Sequence, residues 1–380
     1  MNDVLIIGAG VIGLSCGYHI AKRGHRVRIL EKRKLPGRGQ STKTGGGIRY
    51  CHGTKENISL SSLSKKFWET FSTEFGINPN YHETGHLFLS SKAKKLDSLF
   101  CTGLKNSLEL KRFDTTEIKS IWPELTALGT NFGVYCPDGG YLDHQKVIDG
   151  LLAGFQKNGG KLSNDIKANK LIKKNGKIKG VHTSSGILYA DQVINCSGAE
   201  IEETFKISES LKYFKSRHHE LIIASPKKLI DNQIPWLIDI DRQVHLRPNG
   251  KGQVLIGGFL GKDEEVQIDT YVPSTSKKWL IEVIEMAEQA FGVLGNNPKV
   301  LQHWGGLYPG TIDYLPIIEQ TNPGLFTVAG FSGTGLMHAP AVGEIVSDLV
   351  LNGYTSIIDL KSFHSNRLNE VKLKTENTGF

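Results

Sequence analysis

The stretch that most limits what this chain can become is Val4-Leu5-Ile6-Ile7-Gly8-Ala9-Gly10-Val11-Ile12-Gly13. Four consecutive apolar residues read as a parallel strand buried on both faces. Gly8, Gly10 and Gly13 then stand in GxGxxG spacing, residues 14–23 read as a helix, and Arg26-Val27-Arg28-Ile29-Leu30 reads as a second strand closed by Glu31. In such a unit the glycines let the backbone turn tightly and approach a diphosphate, whose charge sits on the helix N-terminal amides. Glu31 is placed to accept hydrogen bonds from a ribose. The opening therefore predicts a site for the ADP part of a dinucleotide, and leaves FAD and NAD equally open.

At 380 residues the chain exceeds the usual single-core size, which predicts two domains. No run of about 18 apolar residues predicts a membrane span. The N-terminus enters a strand directly, without a basic region and cleavage site, so the expected location is cytoplasmic. Cys16, Cys51, Cys101, Cys136 and Cys196 have neither CxxC nor Cys/His metal spacing, so free thiols and no metal are expected. The net charge of +8 raises nucleic acid as a partner. The lysines are dispersed in pairs such as Lys65-Lys66 and Lys173-Lys174, with no aromatic-interleaved block, so no nucleic-acid binding is expected.

Helical periodicity appears over 60–75, 146–157, 277–291 and 341–351, and strand-like runs over 85–89, 177–183, 192–195, 220–224, 254–258 and 325–328. Residues 365–380 are polar and lysine-rich and read as loosely ordered. Four further stretches bear on the cofactor. Residues 40–50, QSTKTGGGIRY, are rich in hydroxyls and glycines and end near an arginine. So bare a backbone can lie against a planar ring or phosphates; a flexible surface loop is the alternative. VINCSGA is a buried strand running into small residues, HWGGLYPGTIDYLPII follows later, and LFTVAGFSGTGLMHAPAVGE is a strand leading through a glycine turn to a helix start.

With TGGGIRYCHGTKENISLS and PDGGYLDH, these pieces resemble the D-amino-acid oxidase-like superfamily of FAD-dependent oxidoreductases, in order from residue 4 to about 350. The resemblance is to the branch of sarcosine oxidase β subunits and dye-linked proline dehydrogenases. It implies an α/β fold: a Rossmann-like FAD-binding domain over 1–80, 145–215 and 305–365, and a substrate domain on an antiparallel sheet over 81–144 and 216–304. A polar tail covers 366–380. It implies an FAD held by Gly8, Gly10, Gly13, Glu31 and Lys32, by Ser41, Thr42, Gly46 and Gly47, by Ser197 and Gly198, by Gly306, and by Gly330, Gly333, Thr334, Gly335, Leu336 and Met337.

The activity implied is oxidation of a small amino acid or secondary amine, of the sarcosine, proline or D-amino acid type, to an imine. Arg49 lies where relatives hold the substrate carboxylate, although an arginine there also serves a structural acid or the FAD itself. Departures are informative. Gly306 stands where monomeric sarcosine oxidases tether FAD through a cysteine, which implies a non-covalent cofactor. Leu255 stands in place of a lysine that promotes reaction with oxygen, which favours a dehydrogenase passing electrons to an acceptor protein or other subunits. Met337 replaces a second carboxylate-binding lysine, leaving Tyr308, His245 and Arg247 as helpers to Arg49. His245 and Arg247 alternate along a strand and share one face, and pattern leaves open whether that face meets the cavity or solvent. His338 reads as a packing residue at a helix start. His144 matches a histidine that carries a second flavin, FMN, in sarcosine oxidase β subunits, and equally reads as an ordinary helix-start residue. A 2-hydroxy-acid dehydrogenase and a non-catalytic FAD-binding subunit or assembly factor remain alternatives.

Overall fold

The computed structural model describes residues 3–125, 129–201, 214–227, 230–259, 266 and 274–369. Strand β1 (Asp3–Ile7), helix α1 (Val11–Lys22) and β2 (Arg26–Leu30) form the opening unit. Its turn is built as the glycine spacing predicts. Gly8 has φ +97°, and a Cβ on Gly13 would stand 1.9 Å from the Gly8 carbonyl oxygen, so helix and strand meet only if residue 13 lacks a side chain.

The chain continues through β3 (Gly47–Arg49), α2 (Lys55–Phe75), β4 (His86–Ser90), α3 (Ala93–Lys105), β5 (Lys111–Asp114), α4 (Thr115–Ile121), β6 (Phe132–Cys136), β7 (Gly139–Tyr141), α5 (His144–Lys157) and β8 (Lys161–Ser163). A meander follows: β9 (Ala168–Lys174), β10 (Lys177–Thr183) and β11 (Gly186–Tyr189). Then come β12 (Gln192–Asn195), β13 (Phe214–Ser225), β14 (Trp236–Asp239), β15 (Val244–Pro248), β16 (Val254–Gly258), α6 (Lys277–Ala290), β17 (Lys299–Thr311), β18 (Ile317–Asn322), β19 (Leu325–Ala329) and α7 (Gly335–Asn352).

Two sheets organise these elements. The first runs β18-β19-β12-β1-β2-β8 and is parallel except at its β18–β19 edge. The second runs β17-β13-β16-β15-β14-β4-β6-β5 and is antiparallel except where β14 meets β4. Residues 305–311, expected with the first body, instead run in β17 as an edge of the second sheet. A separate ribbon pairs β3 with β7, setting Ile48 opposite Gly140 and Arg49 opposite Gly139.

Helices α2 and α7 begin earlier than their apolar periodicity shows. The first turns of α2 bury Glu56, Asn57 and Ser61, polar residues that hide the inner face. Helix α7 runs through Pro340, which lacks an N–H. Neighbouring side chains repair the break: Trp68 Nε1 donates to the Met337 carbonyl at 3.4 Å, Ala341 N donates to Ser64 Oγ at 3.2 Å, and Ser15 Oγ donates to the Ala339 carbonyl at 2.7 Å. The tail is better anchored than its composition suggests. Arg367 Nε meets Asp313 Oδ2 at 2.7 Å, an ion pair with both side chains largely buried. Residues 370–380 lie outside the described residues.

Candidate functional site

Where β1 ends and α1 begins, a cavity forms that is open to solvent on one side. The first amides of α1 have no intrahelical acceptor; Val11 N donates to Ser41 Oγ at 3.0 Å, and the positive end of the helix dipole still favours an anion there. Gly10 lies on the cavity wall, and a Cβ there would meet only Ser41 Oγ, at 3.2 Å, so the bare glycine keeps room for a ligand. Glu31, buried at the tip of β2, accepts from Ala9 N at 3.0 Å and Arg33 N at 2.9 Å. A carboxylate has about four acceptor positions, so lone pairs remain for sugar hydroxyls. These features suit a diphosphate next to a ribose.

The cavity wall brings together Gly8, Gly10, Glu31, Lys32, Ser41, Ser197, Gly198, Gly306, Tyr308, Gly333, Gly335 and Leu336 from the expected set. Lys32 is already paired with Glu200 at 2.6 Å. Gly13, Thr42, Gly46, Gly47, Gly330, Thr334 and Met337 are not among the residues that line it. Their roles are visible in their contacts. Gly46, with φ +77°, lies so close to Leu142 that a Cβ would stand 2.2 Å from the Leu142 carbonyl oxygen. A Cβ on Gly47 would meet the Trp236 ring at 2.9 Å. Thr334 closes the turn before α7 by donating its hydroxyl to the Phe331 carbonyl at 2.7 Å. The Thr42 backbone instead holds His144, whose ring hydrogen-bonds to it.

Arg49, Arg247 and His245 lie in a layer next to the cavity, behind its wall. Arg49 ends β3 and is 4% exposed. Its positive charge acts on Tyr308, His86, His245 and His52, so these groups surround it. Burial pushes His245 and His86 down to about 3, with Arg49 reinforcing both, so each imidazole is neutral. Tyr308 is raised by burial and stays a phenol. Its ring is pressed between His219, centroid to centroid 4.1 Å, and the bare Cα of Gly333.

His245 and Arg247 share the inner face of β15, and both are buried. Arg247 commits its donors to the scaffold: Nε to the Gly45 carbonyl at 2.9 Å, and Nη1 to the Pro248 carbonyl at 2.6 Å and Asn249 Oδ1 at 3.1 Å. Its guanidinium also lies 4.3 Å from the centre of the Tyr141 ring. Burial lowers its pKa to about 10, which leaves it cationic at neutral pH. Arg247 thus fastens the glycine-rich loop to β15.

Several residues the sequence reading passed over belong to this neighbourhood: Lys43, Gln40 and His219 on the wall, Trp236 and His86 behind it. Gln40 and Lys43 lie in the stretch 40–50 without having been singled out, and His219 stands just before the strand-like run 220–224. His338 packs as expected in the first turn of α7, fully buried, with Nε2 at 3.0 Å from Ser61 Oγ, which in turn lies 2.9 Å from His52 Nε2. Since His52 Nε2 also meets the Arg49 carbonyl at 3.0 Å, that nitrogen carries the proton.

A family model described as FAD dependent oxidoreductase, abbreviated DAO, matches residues 3–349. The chain belongs to that family. With the 4-methylaminobutanoate oxidase (formaldehyde-forming) of Paenarthrobacter nicotinovorans this oxidoreductase is 22% identical over 98% of its own length and 47% of that protein's. With sarcosine oxidase subunit beta of Rhizobium meliloti (strain 1021) it is 24% identical over 92% of its own length and 85% of the other. The crystal structure of L-proline dehydrogenase from P. horikoshii superposes with a TM-score of 0.85 at 26% identity, covering 98% of this chain and 99% of that one. The chain spans less than half the length of several curated relatives it matches. Among the described residues no helix is long and apolar enough to cross a membrane.

Proposed function

We propose that this flavin oxidoreductase oxidises a small amino acid or secondary amine to an imine, as a dehydrogenase rather than an oxidase, with FAD bound non-covalently. The observation that carries the reading is Arg49, a buried guanidinium on β3 whose field reaches Tyr308 on the cavity wall while every histidine around it is neutral. A cation among neutral rings in a dehydrated place favours a carboxylate, and a guanidinium aligns it with two parallel hydrogen bonds. Burial beside the Arg49 and Arg247 cations, which already keeps His245 neutral, disfavours a charged ammonium and so favours the neutral amine.

FAD supplies the hydride-accepting chemistry when bound. Gly8, Gly10 and Ser41 are suited to its diphosphate, Glu31 to its ribose, and the Gly333–Leu336 turn with Gly306 to its ring end. Arg49 binds and orients the substrate, and Arg247 fixes the loop that carries it. Gly306 offers no side chain for a covalent tether. An FMN at His144 finds no support: that ring is engaged by the Thr42 backbone. We assign the cofactor domain to 1–80, 145–201 and 312–365 and the substrate domain to 81–144 and 214–311, supported by the two sheets. A cytoplasmic location, with an acceptor protein or further subunits as electron partner, completes the reading, in line with five free cysteines.

The test is a substrate panel with an artificial electron acceptor on the purified holoprotein. Turnover of carboxylated amines supports the proposal. Turnover of 2-hydroxy acids alone replaces it with a hydroxy-acid dehydrogenase, and no turnover at full FAD occupancy replaces it with a non-catalytic subunit.

A further inference from the structure

The loop between β2 and β3 is stitched onto β17. Trp304 Nε1 donates to the Lys43 carbonyl at 3.0 Å, Leu307 N donates to Gln40 Oε1 at 2.8 Å, and Lys43 N donates to the Gln40 carbonyl at 3.0 Å. The aliphatic stem of Lys43 lies flat on Gly306: a Cβ there would stand 3.1 Å from Lys43 Cβ and 3.3 Å from Cδ. A side chain at 306 would crowd the lysine stem, and Lys43 is part of the cavity wall.

Two other cations on this wall share one carboxylate. Lys32 and Arg33 both pair with Glu200, at 2.6 and 2.9 Å. Lys43 has no ion-pair partner among the described residues, and desolvation together with the charge of Arg33 lowers its pKa. An ordinary solvated lysine would extend into water and keep its pKa. A half-buried ammonium repelled by a neighbouring guanidinium is instead a site waiting for an anion.

We propose that Lys43 is a cofactor-contacting residue whose ammonium answers negative charge on the bound dinucleotide. The inference rests on the FAD reading above. The dinucleotide offers that charge in two places: the diphosphate, which is always anionic, and the isoalloxazine ring, which becomes an anion on accepting a hydride. Lys43 shares the cavity wall with Ser41, Gly306 and Tyr308, and its stem crosses Gly306, so the proposal covers both charges and the experiment separates them.

The experiment strips FAD from the wild type, Lys43→Met, Lys43→Gln and Lys43→Arg, checks each apoprotein by circular dichroism, and titrates it with oxidised FAD at two salt concentrations. Midpoint potentials of the reconstituted proteins follow under anaerobic conditions. If the diphosphate is the partner, Met and Gln raise the Kd of oxidised FAD about tenfold and flatten its salt dependence. If the reduced ring is the partner, oxidised FAD binds unchanged while the reduced form binds about tenfold more weakly, a midpoint about 30 mV lower. Either result, restored by Arg, supports the proposal. Met and Gln variants with wild-type Kd, salt dependence and midpoint overturn it. A wild-type apoprotein that binds no FAD overturns instead the reading on which it rests.

Discussion

The indole N–H of Trp236 donates to Nδ1 of His245 across 3.2 Å, which places that imidazole's proton on Nε2 and leaves no seat for a second one. Protonation would break this bond inside a buried site already facing Arg247 and Arg49.

The pH dependence of stability follows from three such buried rings. His245 and His86 are pushed down to about 3 and His19 to about 4, by burial first and then by neighbouring cations. The unfolded chain protonates these rings near pH 6.5 and the folded one does not, so the stability they contribute is complete above about pH 6.5 and drains away as pH falls toward 4 and then 3. The slope is on the order of 1 kcal/mol per pH unit for each ring. Thermal melts are expected to show a Tm that falls between pH 7 and 5, with a shallower fall in His245→Gln. A Tm independent of pH across that window would contradict the assignment.

Replacing Arg49 by lysine keeps the charge and loses the paired N–H donors. Turnover of a carboxylated amine is expected to drop about a hundredfold in kcat/KM, equivalent to roughly 3 kcal/mol of lost transition-state binding. Flavin content should be unaffected, because Arg49 stands behind the cofactor cavity. Steady-state kinetics beside the absorbance spectrum read both quantities, and unchanged kinetics would transfer carboxylate recognition to another group.

Two glycines of the same motif should fail in different ways. Gly10→Val is expected to yield a folded apoprotein without FAD, since its new Cβ meets only the Ser41 hydroxyl and points into ligand space. Gly13→Ala sets a methyl 1.9 Å from the Gly8 carbonyl and is expected to disrupt the fold itself. Circular dichroism separates the two, and a yellow Gly10→Val protein would show that the cavity had been misassigned.

Leu255, 2% exposed on β16 beside the Gly45 turn, offers no charge to stabilise superoxide near a reduced flavin. Stopped-flow reoxidation in aerated buffer is expected to be slow, and faster in Leu255→Lys. Wild-type reoxidation at the rate of an authentic oxidase would remove the dehydrogenase reading.

The legible and illegible parts of this molecule divide along physical lines. Strands β2, β10, β12 and β16 have the bounds their strand-like patterns predict: β12 and β16 are short buried runs, while β2 and β10 alternate apolar with polar residues, and all are flanked by turn residues. The opening unit is legible because its glycines are demanded by contacts within a few residues. Strands β13 and β17 extend well beyond any apolar run: they are held by their long mutual pairing, from Phe214 opposite Thr311 to Ser225 opposite Lys299, which no local pattern reveals. In the site, Arg49 was visible at the end of a distinctive loop. Lys43 and His219 were not, since a lysine and a histidine acquire meaning only when a distant strand is laid beside them. Arg247 was correctly placed on the same face as His245, yet its donors turn to the Gly45 and Pro248 carbonyls, a choice set by tertiary geometry alone.

The ribbon of β3 and β7 belongs to neither large sheet, and Arg49 is its last residue. Its backbone is registered by hydrogen bonds to Gly139–Tyr141, which are indifferent to what side chain stands at 49. A substitution at 49 therefore leaves every ladder bond of both large sheets in place, and whatever it changes it changes through the side chain alone.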